Sequence, residues 1–314
     1  MTLCILCSGQ GPQHWQIFAL TGAAPEAAGL FAHAATLLGG RDPREMVQSV
    51  PDEALHQDRV GQILCGLQAL AATAALRAAL PSRLIVAGYS VGEVATWDIA
   101  GLVAPMGTLD LIARRAEALD AASKPGDGLL FIRGPARDAV DALCQRHDAA
   151  IAIVNPGDAY VLGGTGEALD ALAKDARAIG GARVIRLAVS VASHTPRLAA
   201  ASAAFRRVLD RAPISRQPNP AVRIFSGIDG NAVLDIQAGL DKLAAQISHT
   251  VQWAACLEGC VEAGASAFLE LGPGRALAEM AAAAYPAIPA NSVADFRSLD
   301  GLRAWLSRLD PSAG

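Results

Sequence analysis

Short apolar runs alternate along this chain with longer segments in which apolar residues recur every three or four positions. That alternation predicts strands interleaved with helices, an α/β architecture. Leu3–Cys7, Leu84–Ala87, Val222–Ser226 and Ala267–Leu271 read as buried strands, and a glycine follows closely on each. Arg59–Leu80, with Val60, Ile63, Leu64, Leu67 and Leu70, predicts a long and largely buried helix. Leu109, Ile112, Ala113, Ala116 and Leu119 place another over Thr108–Ala122. Residues 14–56 read as short helices and loops. Toward the C-terminus, helices are expected over Leu240–Ile247, from His249-Thr250-Val251-Gln252-Trp253 to near Gly264, after Gly272-Pro273-Gly274, and over Leu302–Leu309.

The pattern changes at Gly128. Gly128–Arg133, Ala149–Val154, Ala159–Gly163 and Arg183–Val189 read as strands, with helices over Pro135–His147 and Glu167–Ile179. The order βαββαβ predicts a ferredoxin-like subdomain, entered through Lys124-Pro125-Gly126-Asp127. The expected organisation is therefore a catalytic domain over 1–124 and 190–314 with a parallel sheet, and an inserted subdomain over 125–189.

Composition narrows the function classes. A net charge of −4 over 314 residues leaves no basic footprint for nucleic acid. No apolar run approaches the roughly 20 residues of a membrane span, and the N-terminus lacks the basic start of a signal peptide. Six scattered cysteines fit a reducing cytoplasm rather than a disulfide framework. Cys4 and Cys7, three apart on a strand, point to opposite faces. Cys256 and Cys260 lie four apart in a helical stretch, and no metal site is expected.

The chemistry centres on Ala87-Gly88-Tyr89-Ser90-Val91-Gly92-Glu93, between the strand Leu84–Ala87 and a helix starting at Val94. Strand, Gly-x-Ser-x-Gly, helix is the context of a nucleophile elbow. The turn lifts Ser90 clear of the backbone, and the two glycines let the chain bend tightly. The helix N-terminus places the Val91 N–H to stabilise an oxyanion. The plainer alternative is a glycine-rich turn with an ordinary serine, in a chain of 30 Gly. A dinucleotide reading of Gly9-Gln10-Gly11 fails because its third glycine would fall at His14. Gln10 is left on a tight turn, either as turn polarity or as a backbone donor to a site. Gln62 inside the long helix is a satisfied core amide or part of a site wall. Arg115 lies one position from an apolar stripe and can turn inward. His194, where a strand gives way to a helix, is the best base for Ser90.

Together these segments resemble the malonyl-CoA:acyl carrier protein transacylase family over nearly the whole length. Gly9-Gln10-Gly11-Pro12-Gln13 is similar to the family's first-strand Gly-Gln-Gly-x-Gln. Gly88-Tyr89-Ser90-Val91-Gly92-Glu93 resembles its Gly-His-Ser-x-Gly-Glu, with Tyr89 in place of His. Val191-Ala192-Ser193-His194 matches the family's catalytic-histidine segment, and Asn155-Pro156-Gly157 resembles its Asn-x-Pro-Gly turn shortened by a residue. Thr250-Val251-Gln252-Trp253 resembles its Pro-Val-Gln-Trp, and Glu270-Leu271-Gly272-Pro273-Gly274 its Glu-x-Gly-Pro-Gly. Tyr89, Cys7-Ser8 and the tail Ser292–Gly301 look like one branch, the acyltransferase (epsilon) subunit of malonate decarboxylase.

The resemblance implies an α/β-hydrolase-like large domain with a small ferredoxin-like subdomain. It also implies transfer of a malonyl group through a malonyl-serine, without a permanently bound cofactor. Malonyl-CoA would be the donor. The acceptor would be the thiol of an acyl carrier protein, in the narrower match a carrier subunit with a phosphoribosyl-dephospho-CoA arm. Ser90 would be nucleophile and His194 base, with the oxyanion on the N–H groups of Gln10 and Val91. Arg115 would hold the malonyl carboxylate, and Gln62, Asn155 and Gln252 would line the site. A backbone carbonyl at Gln252 would orient His194 in place of an acid. Arg183, Arg186, Arg197, Arg206, Arg207 and Arg211 form a candidate basic face for the carrier, or else ordinary solvated charge. Two rivals stand beside this reading. A serine hydrolase would need an acid such as Asp158 or Asp175 behind His194. A non-catalytic scaffold would not need the serine, base and arginine together.

Overall fold

The structure, a computed structural model, describes residues 2–11 and 13–309, so Pro12 of the first glycine motif lies outside the described residues. Ten strands form two sheets: β1 (Leu3–Cys7), β2 (Leu84–Gly88), β3 (Asp127–Arg133), β4 (Ala150–Asn155), β5 (Ala159–Thr165), β6 (Arg183–Arg186), β7 (Val222–Phe225), β8 (Val251–Gln252), β9 (Ala267–Glu270) and β10 (Ala290–Ser292). The first sheet has the order β10-β9-β1-β2-β7 and every pairing in it is parallel.

Its central strand explains the near-continuous apolar runs. Leu3, Ile5 and Cys7 of β1 enter one core, while Cys4 and Leu6 enter the other. A parallel strand covered on both faces has no polar alternation to show. Cys4 and Cys7 fall on opposite sides, as their spacing requires. The helix Asp58–Leu76 fills the first core, with sixteen of its nineteen residues buried. With the turn that follows it, this segment reaches the length and mean hydropathy (1.2) of a membrane span, yet 83% of that window is packed inside the protein.

The second sheet has the order β6-β3-β5-β4-β8. Strands β3–β6 and the helices Arg137–His147 and Gly166–Arg177 run βαββαβ and pair antiparallel. The fifth strand, β8, comes from later in the chain and pairs parallel with β4 through Ile153–Val251 and Val154–Gln252. Two residues long, it carries no periodicity, so the sequence reads it as the start of a helix. The helix itself begins at Trp253. One apolar cluster joins the sheets: Leu6 and Ala87 of the first meet Ile153 and Val161 of the second across Trp253, Cys256 and Leu257. β6 ends at Arg186, short of the predicted Val189, with the Leu187 N–H making one more bond across to the Leu129 carbonyl at 3.0 Å.

Candidate active site

Ser90 sits between the end of β2 and the helix Gly92–Ile99. Its φ of 57° is left-handed, a conformation that costs a non-glycine residue roughly 1–3 kcal/mol and persists only where its surroundings hold it. Two contacts hold it. A Cβ on Gly88 would lie 2.1 Å from the Glu93 nitrogen, and one on Gly92 2.1 Å from the Cys7 carbonyl oxygen. Glycine at both positions lets the helix start hard against β1 and β2, which is the elbow the motif predicts.

His194 Nε2 lies 2.8 Å from Ser90 Oγ. The ring is buried, and its backbone N–H donates to the Ile247 carbonyl at 2.8 Å. Nδ1 faces the Gln246 carbonyl at 2.5 Å. A carbonyl only accepts, so the proton resides on Nδ1 and the Nε2 lone pair faces the serine hydroxyl. Burial first, then the charge of Arg115, hold the imidazole down to about 3, against the pull of the Gln246 carbonyl. At neutral pH it is an uncharged base.

The orienting carbonyl is therefore that of Gln246, not of Gln252 as the resemblance implied. Gln246 caps the helix Ile236–Ala245, where terminal carbonyls lack helical partners. Gln252 instead sits on β8, its N–H donating to the Gly227 carbonyl at 2.7 Å, and it is not among the residues lining the cleft described below.

Arg115, on the helix Pro105–Ala122, turns fully inward and is 1% exposed. Nη2 reaches Ser90 Oγ at 3.3 Å and Nη1 donates to Gln62 Oε1 at 2.6 Å. Nε has no hydrogen-bond partner among the described residues. Burial lowers the guanidinium to about 10, countered by the charges of Asp58 and Glu93, so it stays cationic at neutral pH. No described carboxylate lies within ion-pair distance of it. Beside Ser90 there is thus a buried cation with a spare donor, and a buried charge of this kind ordinarily has a partner.

Gln10 lines the same cleft as Ser90, and Val91 follows Ser90 at the start of the next helix. Among the described residues, neither the Gln10 nor the Val91 backbone N–H makes a hydrogen bond, which leaves both for a ligand. Gln13, buried, accepts from the Gly11 N–H at 2.6 Å, and Gln10 Nε2 donates to the Asp58 carbonyl at 3.2 Å. The first bond braces the glycine loop on itself, and the second ties it to the first turn of the helix Asp58–Leu76.

Gln10, Tyr89, Ser90 and His194 open onto a cleft of about 700 Å³ between the two sheets. Leu129, Phe131, Ile153 and Val161 form one wall, and Leu277 and Met280 of the helix Ala276–Ala284 the other. Asn155 lines the same cleft, where its Oδ1 accepts from the Tyr89 hydroxyl at 3.2 Å. The ring of Tyr89 packs edge-on against Trp253, with centroids 5.3 Å apart. Tyr89 thus links the elbow to the second sheet.

Two buried glutamates, Glu93 and Glu270, support the site without lining up behind His194. Glu93 accepts from Ser226 Oγ, the Gly227 N–H and Gln246 Nε2, the last at 2.6 Å. Burial pushes it up to about 7 against those donors. It fixes the glutamine whose carbonyl orients the base. Glu270 accepts from Ser8 Oγ and the Ala278 N–H, and burial likewise pushes it to about 7. The acids a hydrolase triad would have required are occupied elsewhere. Asp175 pairs with His147 and Arg146, and Asp158 accepts from Tyr160.

The expected basic face does not gather. Arg197 pairs with Asp127 at 2.9 Å, and Arg206 with both Asp210 and Asp241 at 2.6 Å. Arg207 and Arg211 line a separate groove with Arg114. Arg186, joined by Arg133, lines the cleft. Arg183 and Arg186 lie on β6, at the edge of the second sheet.

Residues 6–296 match the model of the acyl transferase domain family, and the chain belongs to that family. A malonyl CoA-acyl carrier protein transacylase of Mycobacterium bovis is 29% identical over 306 residues, covering 96% of this chain and 99% of that one. Among solved structures, an acyl-carrier-protein S-malonyltransferase from Burkholderia pseudomallei superposes with a TM-score of 0.87 at 27% identity, covering 97% of this chain and all of that one. A malonyl-transacylase in complex with its type II polyketide synthase acyl-carrier protein also has a TM-score of 0.87, at 25% identity over 97% of this chain and 99% of that one. The mixed α/β fold with its parallel sheet is that of these enzymes.

Proposed function

We propose that this chain is a malonyl-CoA:acyl carrier protein S-malonyltransferase. One observation carries the reading: Ser90 Oγ is shared by a neutral base, His194 Nε2 at 2.8 Å, and a buried cation, Arg115 Nη2 at 3.3 Å. Base and serine supply acyl transfer, and the cation supplies preference for an acyl group ending in a carboxylate. Ser90 Oγ attacks the thioester carbonyl as its proton passes to His194 Nε2. The carbonyl oxygen becomes an oxyanion on the N–H groups of Gln10 and Val91. The C–S bond breaks, the proton passes from His194 to the departing thiolate, and the acyl group remains as a serine ester. A carrier thiol then repeats the steps in reverse.

The apolar cleft walls suit the uncharged part of a thioester arm, and the relative solved with a carrier protein supports a carrier as acceptor. Transfer is tested by incubating the protein with labelled malonyl-CoA and a carrier bearing its prosthetic thiol. Label moving to the carrier faster than to free malonate supports the transferase. Release to water as the main fate supports the hydrolase.

We further propose that the acceptor is the carrier subunit of a malonate decarboxylase rather than a fatty-acid or polyketide carrier. Tyr89 in place of the more usual histidine, Cys7-Ser8 and the tail Ser292–Gly301 support this narrower reading. Loading rates on the two carrier types, at equal carrier concentration, decide it. Preference for a fatty-acid or polyketide carrier contradicts it.

A further inference from the structure

Arg115 is held in an unusual way for a buried cation. Its structural partner is an amide, Gln62 Oε1, and that amide is held in turn by a carboxylate. Gln62 Nε2 donates to Asp58 Oδ2 at 2.8 Å, one helical turn back along Asp58–Leu76. Gln62 is fully buried and Asp58 is 5% exposed. The second carboxylate oxygen, Oδ1, has no hydrogen-bond partner among the described residues. A free glutamine amide can turn over and present its NH2 to the guanidinium, which would set donor against donor. With Asp58 claiming the NH2, only the oxygen faces Arg115.

We propose that Asp58 is a positioning residue for acyl-group selection: through Gln62 it fixes the Arg115 guanidinium at Ser90 while leaving donors on that guanidinium for the substrate carboxylate. The interposed amide matters. A carboxylate bonded directly to Arg115 would satisfy the cation and compete with the substrate. At one amide's remove, Asp58 fixes the orientation of Gln62, and so of the guanidinium, without occupying the guanidinium's donors. Its backbone serves the other half of the site, since the Asp58 carbonyl accepts from Gln10 Nε2 at 3.2 Å. A Cβ on Gly61 would lie 2.6 Å from Gln13 Nε2 and 2.9 Å from Gln10 Nε2. The first turn of this helix therefore seats both the oxyanion loop and the carboxylate receptor: the Asp58 backbone carbonyl accepts from Gln10 and its carboxylate from Gln62.

This inference rests on the transferase reading, and the test separates the two. The kcat/KM for acylation is measured with malonyl-CoA and with acetyl-CoA in the full-length protein and in Asp58→Ala, Asp58→Ser and Asp58→Asn. Asn keeps an oxygen for Gln62; Ala has none, and Ser is too short to reach while still suiting a helix start. The malonyl-to-acetyl ratio is expected to fall roughly tenfold in Ala and Ser, and to stay within about twofold of wild type in Asn. Should the Ala variant not fold, the Ser variant decides. An unchanged ratio in Ala and Ser overturns the proposal. So does an equal fall for both substrates, which marks a purely structural role, and so does a loss in Asn as large as in Ser. Arg115→Ala run alongside tests the underlying reading: if it leaves the ratio intact, the receptor assignment itself fails.

Discussion

Arg115 and His194 meet at one atom, Ser90 Oγ, the first from the helix Pro105–Ala122 and the second from the turn that leads into the helix Ala199–Arg211. The base is neutral, and no carboxylate among the described residues is bonded to the cation. In the proposed reaction a substrate carboxylate would complete the arrangement at the acyl-serine.

Replacing Arg115 with Ala is expected to lower malonyl transfer about 10–150-fold relative to acetyl transfer. That range is the worth of hydrogen bonds to a charged group, about 1.5–3 kcal/mol. Arg115→Lys should recover little of it, because an ammonium cannot present a planar fork. Competing the two thioesters in one reaction measures the ratio directly; equal losses contradict the role.

The pH dependence follows from the buried imidazole. His194 is a base only while neutral, and burial with Arg115 holds it to about 3. Acylation is therefore expected to persist as pH falls from 7 to 5, where an ordinary imidazole near 6.5 would be mostly protonated. In Arg115→Ala a depressing charge is gone, so the acidic limb should move to higher pH. A limb that stays in place shows that the two groups are not coupled. The same shift affects stability: below 6.5 the unfolded chain takes up a proton that the folded chain refuses, so this group subtracts stability as pH falls toward 3.

Glu93→Ala leaves three buried donors, on Ser226, Gly227 and Gln246, without their acceptor. Each orphaned group costs about 1–3 kcal/mol, so a clear drop in Tm is expected. Acylation should also slow in the fraction that stays folded, because Gln246 no longer fixes the carbonyl behind His194. Unchanged Tm would show that these bonds are replaced by water.

Tyr89→Phe removes the hydroxyl that meets Asn155 and keeps the ring against Trp253. The cost is expected to be about 0.5–1.5 kcal/mol in denaturant unfolding, with acylation of Ser90 nearly intact. A loss of acylation beyond about tenfold would place the hydroxyl in the chemistry instead.

Much of this arrangement is legible in the sequence because it is local. The elbow is strand, glycine, serine, glycine and helix within a few residues, and the βαββαβ order follows from periods of two and 3.6. Arg115 and Gln62 are visible only as polar residues near apolar stripes, and their meeting depends on two helices packing together. What stays hidden is set by contacts distant in sequence. β8 has two residues and no period, so its place beside β4 leaves no trace in the pattern. Gln246 supplies a backbone carbonyl, which no side-chain motif marks, and the resemblance placed it six residues too late. Asp58 falls just outside the predicted helix Arg59–Leu80 and Glu93 reads as the end of the elbow motif, since burial alone turns them into supports. The scatter of the arginines reflects partners such as Asp127 and Asp241, contributed by other elements.

The most direct test of the account is intact mass of the protein after brief exposure to malonyl-CoA, followed by peptide mapping. One malonyl group on Ser90 is expected, formed slowly or not at all in His194→Ala and absent in Ser90→Ala. An unmodified wild-type protein, or a malonyl group on any other residue, contradicts it.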